Sequence, residues 1–577
     1  MNESPFPSAT MQGIESGAEL LLRSLKAHGI DYMFVNPGTD FAPLIEGMAA
    51  GKRKGSDFPK PLVIPHENCA VSMAHGYYMV AGKPQAVMVH TNVGTANTLN
   101  CMADAYRDNV PILLMAGRTP VTEQGVLGSR NSPVHWGQEM FDQAGMLREF
   151  VKWDYEMKLP TQAEEVVSRS LEVMMSAPRG SAYLTLPREA LGAGVPASNR
   201  PMVPRSHPTM PYPHPDAIKT LADIIAASQN PLIITSASGR TAAAVDALSR
   251  LTERFAIPVV SFNARYVCLP SSHPMNMGSV PKPFLADADL IIVLDSDAPW
   301  FPSQESPSAT CKVVHIGDDP AFARYPMRGF PCDLSITAET TAALTVLDQV
   351  LSEKGFDKDS AVAARRGRLE PRWKAMRAQW QATLDKAAAQ PSIKLEYLNH
   401  CLGEAVDDDA LIVSEYWVRT EFCKREKAGT FYGAGPAGGL GWGVGAALGA
   451  KLAAPDKLVI CGVGDGAYMF ANPTACHWTA QAHKLPILTV INNNSVYNAV
   501  RRSTLAMYAT GEAQAENDGH TLADLHPSPD FEKLVEASGG YGERVENPAD
   551  LPAAIARAIK VVREEKRQAV LNVITTL

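Results

Sequence analysis

Asp465 stands between Gly464 and Gly466 at the end of the apolar run Lys457–Val463, and Asn492-Asn493-Asn494 closes a second apolar run, Pro486–Ile491. Asn494 follows Asp465 by 29 positions, room for one helix and one returning parallel strand, so both ends fall on one edge of a sheet. Ligands of open parallel sheets bind outside the carboxyl ends of the strands. A carboxylate and an amide oxygen are hard donors suited to Mg²⁺ holding phosphates. Flanking glycines let backbone approach a diphosphate and leave N–H groups to meet it. The constellation reads as a metal–diphosphate site. A Gly-Asp-Gly triplet by itself is more often a plain strand-to-helix turn, and the paired asparagines are what make the signal specific.

Strand, Gly-Asp-Gly, helix, strand and paired Asn in this order resemble the fingerprint of the thiamine diphosphate-dependent decarboxylase and carboligase superfamily. Nearly the whole chain shares the likeness. By motif it is similar to benzoylformate decarboxylase and, more distantly, to acetolactate synthase. The resemblance implies that Asp465 and Asn494 give side-chain oxygens to Mg²⁺ and Val496 its main-chain carbonyl, with Gly464, Gly466 and Ala467 beside the cofactor. Counting back from Tyr497, the aromatic after the ligand pair, selects Asn494 over Asn492 and Asn493. It also implies that Glu67, in Pro65-His66-Glu67-Asn68 after a short strand, shares a proton with the aminopyrimidine ring. In the cluster Gly435–Gly441, Gly438 offers a backbone carbonyl to that ring and Leu440 props the cofactor into its bent shape. Acetolactate synthases usually carry Met at the Leu440 position. Trp417 and Val418 stand where relatives contact the diphosphate through hydroxyls, which neither residue has.

Three further residues are expected to face substrate. Thr39, in the turn Asn36-Pro37-Gly38-Thr39, matches a hydroxyl that touches the substrate carboxylate, although a cap for the next helix fits equally well. His90 ends a strand beside the turn at Gly94 and matches a proton-transfer histidine; imidazole, with a pKa near ~6.5, can donate and accept at neutral pH. His273, in Ser272-His273-Pro274, matches another family histidine, with a structural role at least as well supported. The stretch Met275–Pro281 lacks the Gly-Met-x-Gly-x-His-Gly pattern of flavin-holding relatives, which disfavours FAD, and no basic cluster suited to the phosphates of CoA stands out in the middle block.

The elements that position these groups form three blocks. Strand and helix patterns alternate over 12–195, 216–350 and 394–577, separated by a Pro-rich linker at 196–215 and a charged connector at 351–393, expected to be a solvated helix or tether. The expected fold is therefore α/β, three doubly wound parallel-sheet domains; the resemblance names them pyrimidine-binding, middle and diphosphate-binding. A length of 577 residues agrees, at about 150 residues per domain. A net charge of −8 without a long basic run excludes a nucleic-acid binder. Nine cysteines without CxxC spacing exclude a zinc site or disulfide framework and point to a reduced, cytoplasmic setting. No run has membrane-spanning length. The expected activity is cleavage of a carbon–carbon bond next to a carbonyl, foremost 2-keto acid decarboxylation, with a small-molecule keto acid as substrate and a homodimer or homotetramer as the assembly. An acetolactate synthase-like carboligase, a CoA-thioester lyase and a cofactor-free partner subunit are the alternatives; the retained Glu67, Asp465 and Asn494 argue against the last.

Overall fold

A computed structural model describes residues 14–196, 204–515 and 521–577. The chain divides into two compact units, the second beginning at Thr209.

In the first unit a short strand, β1 (Ile14–Ser16), pairs antiparallel with β8 (Gly194–Pro196) and brings the ends of the block together. Between them lie β2 (Tyr32–Val35), β3 (Lys60–Val63), β4 (Ala86–Val89), β5 (Leu113–Arg118), β6 (Trp153–Glu156) and β7 (Ala182–Pro187). They form one parallel sheet ordered β3-β2-β4-β5-β7-β6. β4 and β7 are buried along their whole length, as expected of strands covered by helices on both faces. Sequence patterning does not mark β6 or β7: β6 reads Trp-Asp-Tyr-Glu, aromatic and acidic residues alternating over only four positions, and is half-buried throughout.

The second unit holds two parallel sheets. β9 (Pro231–Thr235), β10 (Val259–Ser261), β11 (Leu290–Leu294), β12 (Lys312–Gly317) and β13 (Leu334–Thr337) are ordered β10-β9-β11-β12-β13. β14 (Leu411–Ser414), β15 (Phe431–Gly433), β16 (Val459–Gly464), β17 (Leu488–Asn493), β18 (Tyr541–Val545) and β19 (Ala569–Ile574) are ordered β15-β14-β16-β17-β19-β18. Counting strands within each block, this last order repeats that of the first unit, so the two outer blocks share a topology that no internal sequence repeat announces.

Within the interval expected to be a linker, residues 204–214 carry no helix or strand; 197–203 lie outside the described residues. The connector differs from expectation. It is indeed one long helix, Ser360–Ala388, but Val362 and Leu369 belong to the core under the middle sheet, and Trp373 and Met376 pack against that core. Its apolar residues are too sparsely spaced among Arg, Lys and Ala to produce an amphipathic signal, yet they are enough to dock it. Among the described residues no helix is long and apolar enough to cross a membrane.

Candidate active site

The helix Glu67–Ala81 starts directly after β3, with His66 capping it by accepting from the Asn68 N–H at 3.2 Å. Glu67, its first residue, is buried, and Oε2 accepts from Asn97 Nδ2 at 3.1 Å. A Cβ on Gly94 would sit 3.3 Å from Glu67 Oε1, so the glycine leaves the carboxylate room against the next helix.

His90 ends β4 and pairs through Nδ1 with Asp40 Oδ1 at 2.5 Å. Gln138 Nε2 lies 3.2 Å from the other ring nitrogen. Asp40 is buried, and two glycines make space for the pair. A Cβ on Gly38 would meet His90 Nδ1 at 2.1 Å, and one on Gly117 would meet Asp40 Oδ2 at 1.8 Å. The hydrogen bond to Asp40 raises the imidazole pKa against the opposing effect of burial, with Gln138 and the charge of Glu67 adding to the rise. The first unit thus gathers Glu67, His90, Asp40, Asn97 and Gln138. Sequence reading had singled out only the first two. Asp40 adjoins the expected Thr39, and its acidity one residue beyond the turn was the available signal; nothing local marked Gln138 from 48 residues away. Thr39 itself is exposed in the 3-10 turn Thr39–Phe41, which has no side-chain cap. His75, which had no expected role, is buried 3.5 Å from Asp108, its pKa pushed down to about 3 by burial.

In the second unit, β16 and β17 run side by side and end at Gly464 and Asn493. Asp465 follows immediately, buried, with Oδ1 accepting from Gly466 N at 2.8 Å and Oδ2 from Ser495 N at 2.6 Å. Burial raises its pKa, and those backbone N–H groups oppose the rise. The three asparagines are not equivalent. Asn492 Oδ1 accepts from Thr575 Oγ1, Asn493 bridges Ser528 and Asn572, and both are buried. Asn494 is half-buried, its Oδ1 accepting from Val496 N at 3.0 Å. The Val496 carbonyl accepts from Asn498 N at 2.7 Å, leaving its second lone pair for another partner.

The glycine cluster packs against this turn. A Cβ on Gly441, at φ +90°, would lie 2.5 Å from the Phe470 carbonyl, and Gly438 adopts φ +75°. Leu440 is half-buried and Gly438 exposed. Beneath the cluster lies Glu415, whose role sequence reading missed. Its carboxylate accepts from Gly441 N at 2.8 Å and Gly443 N at 2.7 Å, and burial pushes its pKa up to about 7. Trp417 and Val418 are buried against Gly462. Ala467 is buried in the turn of helix that follows Asp465. His273 lies apart from this set. Its ring is buried, accepts from Met275 N at 3.1 Å, and its backbone carbonyl accepts from Trp373 of the long helix.

These donors fit a diphosphate-bound cation. Asp465 is a desolvated carboxylate with no Lys, Arg or His within salt-bridge distance among the described residues, and a Cβ on Gly464 would meet nothing within 4 Å. No group of three or more His, Cys, Asp or Glu among the described residues could cage a metal. A hard cation here would therefore draw the rest of its shell from carbonyl, water or phosphate oxygens.

Three parallel-sheet blocks, with polar constellations at the strand ends of the outer two, define a cofactor-binding α/β enzyme. Residues 15–146 match the N-terminal TPP binding domain of thiamine pyrophosphate enzymes, 218–347 their central domain and 414–573 their C-terminal TPP binding domain. The chain belongs to the thiamine pyrophosphate enzyme family. The acetolactate synthase large subunit of Lactococcus lactis subsp. lactis is 25% identical over 583 residues, covering 96% of this chain and 91% of its own. The probable 2-ketoarginine decarboxylase AruI of Pseudomonas aeruginosa is 27% identical over 557 residues, covering 93% and 90%. The solved 4-hydroxybenzoylformate decarboxylase of Rhodococcus jostii RHA1 shares the fold with a TM-score of 0.76 at 21% identity, over 97% of this chain and 99% of its own. The benzoylformate decarboxylase of Polynucleobacter necessarius does so with 0.76 at 22%, over 97% and 99%.

Proposed function

We propose that this thiamine diphosphate-dependent enzyme is a Mg²⁺-requiring 2-keto acid decarboxylase. The observation that carries the reading is the buried Asp40–His90 pair, an imidazole whose pKa is raised and which feels the charge of Glu67. A decarboxylase must return a proton to carbon after carbon dioxide leaves, and a histidine held protonated can deliver one.

In this reading Asp465, Asn494 and the Val496 carbonyl hold Mg²⁺, and Gly464, Gly466 and Ala467 border the diphosphate. The commitment of Asn492 and Asn493 to other partners supports the choice of Asn494. Glu67 shares its proton with the aminopyrimidine, Gly438 accepts from it through its carbonyl, and Leu440 props the ring system. When bound, thiamine diphosphate supplies the nucleophile for the substrate carbonyl and the electron sink for the breaking bond. His90 and Thr39 then act on substrate, His90 donating from a ring nitrogen and Thr39 binding the carboxylate. His273 is left out because its buried ring is engaged with Met275 N at one nitrogen and faces Glu253 with the other.

A reading without flavin is supported by the middle sheet. Its strand order reverses between β9 and β11, where such sheets bind nucleotides. There Asp297 pairs with Arg265 at 2.8 Å and accepts from Tyr325, while Arg328 donates to the Ser296 and Asp297 carbonyls. Exposed Trp136 and Phe141 in the first unit, and Phe470 and Trp478 in the second, support self-association into a homodimer or homotetramer. All nine cysteines are free, in keeping with a cytoplasmic setting.

The acetolactate synthase-like reading is favoured by the 25% identity to a synthase large subunit. One experiment separates the two: holoenzyme, checked by mass for bound thiamine diphosphate, is offered a panel of 2-keto acids. Carbon dioxide with stoichiometric aldehyde supports the decarboxylase. Efficient conversion of pyruvate to acetolactate overturns it.

A further inference from the structure

The opposite edge of the middle sheet carries a second site. A cavity of about 330 Å³ opens at the amino ends of β9, β10 and β11, lined by Pro231, Pro258 and Ala288 on the sheet side. The long helix closes it with Arg365, Leu369 and Arg372 on successive turns and Arg368 between them. These arginines come from a segment between the matched family domains, which end at 347 and resume at 414.

Three arginines line this cavity against one lining carboxylate, Asp287. Arg365 is 2% exposed; its guanidinium donates to the Phe255 and Ser228 carbonyls, each at 2.9 Å, and its Nε has no partner. Arg368 donates to the Gln229 carbonyl at 2.8 Å. Among the described residues neither has a carboxylate within salt-bridge distance. Arg372 reaches Asp287 only at 3.5 Å, across a largely exposed carboxylate, and its guanidinium lies 4.1 Å from the Phe284 ring centroid. The nearby Asp289 is occupied with Ser228 and the Gln229 and Asn230 N–H groups. Burial lowers the Arg365 pKa to about 10; the charge of Asp289 opposes that fall, and the charge of Arg368 adds to it. Of the three only Arg365 is buried, Arg368 being exposed and Arg372 half-buried; a buried cation with no carboxylate within salt-bridge distance is costly, and an anion relieves that cost. Leu232, Leu369 and Phe284 add apolar wall. The volume is at the lower end of the roughly 300–1,000 Å³ of ligand pockets.

We propose that this cavity binds a small organic anion, a carboxylate or phosphate monoester with an apolar body, held by Arg368 and Arg372 over the fixed charge of Arg365. The site is distinct from the thiamine diphosphate site and does not depend on which reaction the enzyme performs.

Calorimetric titration of the holoenzyme with benzoate and with inorganic phosphate tests it. Saturable binding of either is expected, weakened at least about tenfold in Arg368→Ala/Arg372→Ala and largely retained in Arg368→Lys/Arg372→Lys. Preference for phosphate identifies a phosphorylated ligand, and preference for benzoate a carboxylate. Absence of saturable binding, or binding unchanged by the alanine pair, overturns the proposal. Crystals soaked in 4-bromobenzoate give a readout that needs no variant. Bromine density beside Leu369 and Phe284 supports the site, and bromine density only elsewhere rejects it.

Discussion

At His90 the decisive group is the carboxylate that faces it. Asp40 raises the imidazole pKa by hydrogen bonding to Nδ1, so the protonated ring persists to higher pH than it otherwise would. Asp40→Asn keeps an acceptor and removes the charge. It is expected to lower the His90 pKa and to move the alkaline limb of the pH–rate profile toward lower pH, read together with the imidazole titration by NMR. A profile that does not move removes His90 as the proton donor. Asp465→Ala is expected to abolish Mg²⁺-dependent retention of thiamine diphosphate, because no other acidic ligand among the described residues replaces it. Unchanged cofactor affinity by calorimetry rejects the metal assignment. Glu67→Gln is expected to keep fold and cofactor while lowering turnover by ~10²–10⁴-fold, the usual worth of a positioned proton transfer. Exchange of the cofactor's acidic hydrogen, followed by NMR, should slow in the same variant.

At the scale of elements, the helix Trp442–Ala453 is rich in small residues and begins under two N–H groups bound by Glu415. Seven of its twelve residues are Gly or Ala; the glycines are poor helix formers but permit close packing, and a Cβ on Gly443 would sit 2.9 Å from Glu415 Oε2. The folded Glu415 carboxyl titrates at about 7 against an ordinary 4.5, so the fold holds an extra proton between those values. The resulting stability, about 3 kcal/mol by linkage, is fully present below the unfolded pKa and is lost as pH rises through 7. Melting temperatures of the cofactor-free protein should therefore fall between pH 5 and 8, and Glu415→Gln should flatten that slope. Equal slopes in the two proteins would show that Glu415 is ionised in the fold throughout. The elements themselves were unevenly legible. β16 and β17 were readable because buried parallel strands are continuous apolar runs bounded by turns, and the Gly-Asp-Gly and Asn signals sat at their ends. β6 was not, because it is only four residues long, half-buried, and every second residue is acidic. Glu415 was visible as a letter but not as a ligand of the glycine loop, since its partners lie 26 and 28 residues away. Asp40 escaped for the same reason: the pairing with His90 spans 50 residues and is set by β2 and β4 lying side by side.

For the whole molecule, the shared strand order of the outer blocks means that each presents its candidate residues at the carboxyl edge of an equivalent sheet, Glu67 and His90 on one and Asp465 and Asn494 on the other. In the proposed enzyme the choice between decarboxylase and synthase then depends on how soon a proton reaches carbon once carbon dioxide has gone. A synthase must withhold that proton until a second carbonyl arrives, whereas the Asp40–His90 pair favours early delivery. His90→Ala is therefore expected to slow aldehyde release more than carbon dioxide release. Parallel assays of the two products should show carbon dioxide running ahead of aldehyde, with the shortfall recovered as a ligation product when an acceptor aldehyde is added. Bound thiamine diphosphate should be unchanged, since His90 is not among the residues assigned to hold it. If both products slow equally, His90 acts before decarboxylation; if neither slows and the parent enzyme converts pyruvate efficiently to acetolactate, the carboligase reading replaces the decarboxylase one.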